Sequence, residues 1–170
     1  LAFTKTAQAF FGTVPVAEAI PAAREAARNA LDLDPTQGEA YGALGVMRLV
    51  FDWDFEQARR DLEQAIALNP YDVYIRHGYA DYLASAGRAQ EGLAQMRIAR
   101  EHNPNMPWSQ LLVMTHLSYA SRDFDEVLAE ARRTRTAYPT NDMSSTIIAD
   151  CLWRLGKYEA KRTLILTQAA

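Results

Sequence analysis

An all-α architecture, a right-handed superhelical solenoid of antiparallel helix pairs with about ten helices, is predicted by three features of this sequence. Prolines recur at Pro35, Pro70, Pro104 and Pro139, at intervals of 35, 34 and 35 residues, and the first three each follow Asp or Asn. Small residues keep fixed places before them: Ala30, Ala65 and Ala99 five residues back, with Thr134 in the fourth unit, and Ala23, Ala58 and Gly92 twelve back, with Val127. Between these marks the apolar residues follow helical rather than alternating spacing.

The period divides the one expected domain, 1–170, into a partial unit over 1–35, full units over 36–70, 71–104 and 105–139, and a partial unit over 140–170. A second set of columns, Leu44, Tyr79, Val113 and Ile148, keeps the same intervals, so each unit reads as two helices. In the second unit the first helix runs through Tyr41 to Val50. A turn follows at Asp52-Trp53-Asp54, and Phe55 to Leu68 forms the second helix. Gly87 and Gly156 stand in the same turn of later units, where positive φ closes a helix without a Cβ clash. Each proline then stops the second helix by disfavouring the α conformation of the residue before it. The small columns, Gly45, Ala58, Ala65, Ala80, Gly92 and Ala99, are expected where helices approach most closely.

These columns resemble the tetratricopeptide repeat. Tyr41, Leu44, Gly45, Phe55, Ala58, Leu62, Ala65 and Pro70 match nearly the whole family pattern in one unit, and Gly87, Gly92, Ala99 and Pro104 match it in the next. Departures are Met114 and Thr134 at places where small residues are usual, and Arg48 at a bulky apolar place. The resemblance implies a concave wall built from the first helix of each unit, binding a peptide or protein partner. Glu39, Gly42, Val46 and Leu49 would begin that wall. The groove residues it implies are Tyr74, His77 and Asp81 in the third unit, Trp108, Leu111 and Thr115 in the fourth, and Met143, Asp150 and Trp153 in the fifth. Family members that clamp a terminal carboxylate use Lys, Asn and Arg on this wall. Here Gly42, Val46, His77, Asp81, Leu111 and Thr115 stand there instead, so a partner with apolar anchors and basic residues is expected. A narrower resemblance, carried by Ala23 to Pro35 and by Phe51-Asp52-Trp53-Asp54, is to the repeat regions of bacterial multidomain signalling and transcriptional regulatory proteins. It implies a regulatory scaffold in the cytoplasm. A free-standing secretion chaperone or a homo-oligomerisation module are the alternatives. Because the chain starts at Leu1 rather than Met, it is read as a fragment or a processed chain.

Composition narrows the partner. The net charge of −3 has no clustered Lys or Arg behind it, which argues against direct binding of nucleic acid. The most apolar stretch, Tyr41 to Phe51, contains Arg48 and is too short to cross a bilayer. His77, His102 and His116 lack metal-ligand spacing, and no phosphate loop or nucleophile elbow occurs, so neither metal, cofactor nor catalytic residue is expected. Asp52, Asp54, Asp123 and Asp125 read as helix caps. The one cysteine, Cys151, reads as a buried thiol. Trp53 is expected to cover the crossing of its own hairpin.

Overall fold

The computed structural model describes residues 1–10, 12–103, 118, 122–139 and 142–162, with the side chains of Phe10, Asp142 and Met143 excepted. Among these the fold is helical throughout and contains no strand. The helices are α1 (Ala2–Phe10), α2 (Val16–Leu33), α3 (Gly38–Met47), a π-helical turn (Arg48–Asp52), α4 (Phe55–Leu68), α5 (Val73–Ser85), α6 (Ala89–His102), α7 (Phe124–Ala137) and α8 (Asp142–Arg154). They fall into two compact units, Leu1–Tyr82 and Leu83–Ala170.

In the first unit α1 packs on α2, α2 on α3, and α3 on α4. Its core joins Ala19, Ile20, Ala23 and Ala27 of α2 to Ala40, Ala43, Leu44 and Met47 of α3. Short side chains let these helices close on one another. A β-carbon added at Gly45 would lie 2.6 Å from Leu62 Cγ, and one at Gly78 2.6 Å from Val46 Cγ2, distances no packed core tolerates. In the second unit α7 packs on α8, and Val127, Leu128, Ala131, Ile147, Ile148 and Leu152 are buried there.

All four second helices end alike, and the proline period explains why. At Asp34, Asn69, Asn103 and Tyr138, each just before its proline, φ lies between −147° and −132°. The backbone N–H of each still donates to the carbonyl four residues back, at Ala30, Ala65, Ala99 and Thr134, over 2.8–3.0 Å. The helix therefore closes its last bond while the residue before proline leaves the α conformation that the ring disfavours. Thr134, though not alanine, is buried at 7% and serves as the others do.

The turns inside the hairpins differ by one residue. After α5, Gly87 has φ 76° and the Arg88 N–H returns to the Leu83 carbonyl, five residues back, at 2.7 Å. After α8, Gly156 has φ 70° and Lys157 returns to Leu152, also five back, at 2.8 Å. In the second hairpin the Asp54 N–H returns six residues, to Arg48, at 3.0 Å. The extra residue that makes this unit 35 long is taken up by the π-helical turn Arg48–Asp52, whose bonds span one residue more than those of an α-helix. Arg48 opens that turn and its guanidinium pairs with Asp61 of α4, which accounts for a cation at a bulky apolar register. Burial raises the Asp61 carboxyl above its ordinary range even though Arg48 pulls it down.

Trp53 departs from expectation. It sits in the left-handed region, φ 58°, where the turns after α5 and α8 hold glycine, and it is 74% exposed rather than covering a helix crossing. Its ring meets Phe55 edge-on, with centroids 6.3 Å apart. Of the four aspartates read as caps, Asp54 accepts from the Gln57 N–H and Asp123 from the Glu126 N–H. Asp52 and Asp125 do other work: Asp52 holds Arg24 of α2 through both carboxylate oxygens, and Asp125 holds Lys157 at 3.2 Å.

Candidate peptide-binding faces

Tyr74, His77 and Asp81 lie three and four residues apart on α5, and so on one face of it. The helix is fixed from below by Ile75 and Gly78, which are buried against α3 and α4. Arg76, 7% exposed, anchors its start by donating from Nε to the Pro70 carbonyl at 2.6 Å. Tyr74 is 51% exposed and its ring centroid stands 6.3 Å from that of Phe3 in α1. The two rings meet near Gly42, where a β-carbon would be 3.0 Å from the Phe3 ring and 2.9 Å from Ile75. Gly42, expected on the open wall, is buried for this reason; Leu49 is buried as well, while Glu39 is exposed and Val46 half-buried. Phe3 is a member of this surface that sequence reasoning missed. The signal was Gly42 itself, a residue without a side chain on a face otherwise built of large ones.

His77 Nε2 lies 3.8 Å from the Asp81 carboxylate one turn on. Surrounding protein pushes the Asp81 carboxyl up to about 7 by desolvation, although 36% of its side chain meets solvent. At neutral pH the group is therefore poised between its neutral and charged forms.

Trp108, Leu111 and Thr115 lie outside the described residues, and Met143 is described only in its backbone position on α8. Asp150 and Trp153 share α8 and follow one another by three residues. Asp150 accepts from Arg154 Nε at 3.4 Å. Trp153 is 55% exposed, but Tyr158 stands edge-on to it at 5.1 Å and Lys161 Nζ lies 4.7 Å from its ring centre. Its faces are thus partly occupied by the chain itself. Cys151, two residues before Trp153, is buried, and burial pushes its thiol up to about 11, so it stays protonated and unreactive.

A chain of the solved structure of Naa15/Naa10 bound to HypK-THB superposes with a TM-score of 0.68 at 14% identity over 99% of this sequence. The likeness is one of fold alone, a helical repeat resembling the tetratricopeptide type. The sequence spans 24% of that neighbour's length. No protein-family model matches, and no curated protein matches by sequence. Among the described residues no group of His, Cys, Asp and Glu is arranged to hold a metal ion, and no helix is long and apolar enough to cross a membrane.

Proposed function

We propose that this chain is a protein-interaction scaffold that binds a peptide or protein partner along the first helices of its hairpins, as a cytoplasmic regulatory module of a larger bacterial signalling protein. The observation that carries the reading is the α5 face. An open tyrosine ring and a partly exposed carboxylate stand two helical turns apart on a helix that packing holds rigid. A ring that is already in contact with Phe3 offers an apolar anchor, and the ionised carboxylate favours Lys or Arg over acidic side chains. The structural neighbour, named for an assembly of proteins, supports a polypeptide as the partner. We read the activity as binding rather than catalysis, a reading supported by the capping roles of Asp54 and Asp123 and by the protonated Cys151 thiol.

Calorimetric titration with basic-apolar peptides and acidic peptides of equal length tests this. The basic series binds the chain, and Asp81→Asn weakens that binding about five-fold by removing one ion pair. Preference for the acidic series overturns the reading.

A further inference from the structure

The arginines that join α6 to α7 recur one repeat later without the carboxylates that receive them. Arg97 and Arg100 of α6 correspond, 35 residues on, to Arg132 and Arg135 of α7. The first pair is answered. Arg97 donates from Nε and Nη2 to Glu126 at 3.0 and 2.6 Å, and Arg100 donates to Glu130 at 3.3 Å. The residues equivalent to Glu126 and Glu130, 34 positions on, are Ala160 and Leu164, and neither carries a charge. Arg132 and Arg135 accordingly meet no carboxylate among the described residues.

The surroundings of the second pair follow the earlier contact, and all of them lie within the unit Leu83–Ala170. Lys157 Nζ, 3.2 Å from Asp125, ties the start of the next helical segment, 158–162, to the start of α7. Ala160 on that segment is exposed, whereas Glu126 at the equivalent place keeps only 16% of its side chain in solvent. What a glutamate fills in the earlier contact is left to solvent in the later one. Arg132 is exposed and Arg135 half-buried. Glu159, beside Ala160 in sequence, turns to Arg162 of its own helix at 3.8 Å. Two guanidinium groups three residues apart share a helix face and repel one another, so an anion set between them is favoured twice over. The planar fork of each matches a carboxylate, as Arg97 shows on Glu126.

We propose that Arg132, Arg135 and the notch over Ala160 form a second docking surface, beyond the α5 face, for a partner polypeptide whose helix presents two Glu four residues apart. The first Glu enters over Ala160 and takes the Arg132 fork, and the second meets Arg135 one turn on. The partner thereby repeats what Glu126 and Glu130 do for Arg97 and Arg100. This surface selects acidic side chains, the opposite of the α5 face.

The test titrates the isotopically labelled full chain with an alanine-based helical peptide bearing Glu at two positions four apart, and with the same peptide bearing Gln at both. The backbone amide resonances of Arg132 and Ala160 are followed. The Glu peptide moves them saturably and the Gln peptide leaves them in place. Arg132→Gln and Arg135→Gln each weaken the binding about five-fold while helicity by circular dichroism is kept. Ala160→Glu gives the chain its own carboxylate and abolishes binding, whereas Ala160→Gln retains it. Asp81→Asn leaves binding unchanged, which separates this surface from the α5 face. Unmoved resonances, equal shifts from both peptides, undiminished binding by Ala160→Glu, or inorganic phosphate binding as tightly as the Glu peptide overturns the proposal.

Discussion

Between α3 and α4 the contact depends on a missing side chain, since a β-carbon at Gly45 would stand 2.6 Å from Leu62, whereas α6 and α7 are joined by side chains that reach across. Arg97 binds Glu126 through two bonds of 3.0 and 2.6 Å, and Arg100 reaches Glu130 at 3.3 Å, with Arg133 on its other side. The first contact is steric, indifferent to salt, and intolerant of added volume. The second is electrostatic, and salt weakens it through the exposed arginines even though Glu130 itself is 3% exposed. One period of proline and small residues thus allows two kinds of adhesion. The repeat fixes where helices meet and leaves open what holds them.

The sharpest way to break that contrast is Gly45→Leu. It overpacks the α3–α4 crossing and lowers stability in urea denaturation by about 3 kcal/mol, equally at low and high salt. Glu130→Ala tests the other contact. It costs about 2 kcal/mol, less than a fully buried pair because the arginines it abandons can turn to water. High salt reduces the stability of the unsubstituted chain at this contact, so the difference between the two proteins narrows.

Asp81→Asn probes a charge that packing penalises. Because the folded carboxyl titrates at about 7 and the unfolded one near its ordinary value of 3.8, the unfolded chain loses its proton first as pH rises. Stability from this group is therefore present below pH 4 and lost between pH 4 and 7. Asp81→Asn removes that fall and is the more stable protein at pH 8, by about 1 kcal/mol once the side chain's exposure is allowed for. At pH 4 the two proteins melt alike. The smallest effect expected is from Trp53→Gly, which relieves left-handed strain and raises stability by about 0.5 kcal/mol after the greater freedom of unfolded glycine is counted. A loss of stability there would mean that Trp53 packs in a way its exposure hides.

Helix class, the proline stops and the glycine turns were legible because each rests on a local rule. Pro70 restricts Asn69 whatever surrounds it, and Gly87 closes its helix by a conformation other residues resist. The small columns were legible for a related reason: Ala58, Ala65, Ala80 and Ala99 all have 0% exposure, as a repeated close approach requires. The face of α5 was partly legible, since spacing alone aligns Tyr74, His77 and Asp81. That Phe3 would stand beside Tyr74 was not, because it joins residues 71 positions apart through the space above Gly42.

The sequence by itself determined the period, the ends of the helices and the residues that must be small, because those follow from the torsions and volumes of single residues. Only the tertiary structure decided that Arg48 pairs with Asp61, that an inserted residue is absorbed as a π-helical turn, and that Trp53 faces solvent while Phe124 lies under an arginine. These depend on which side chains from distant parts of the chain arrive at the same place, and no local rule carries that information.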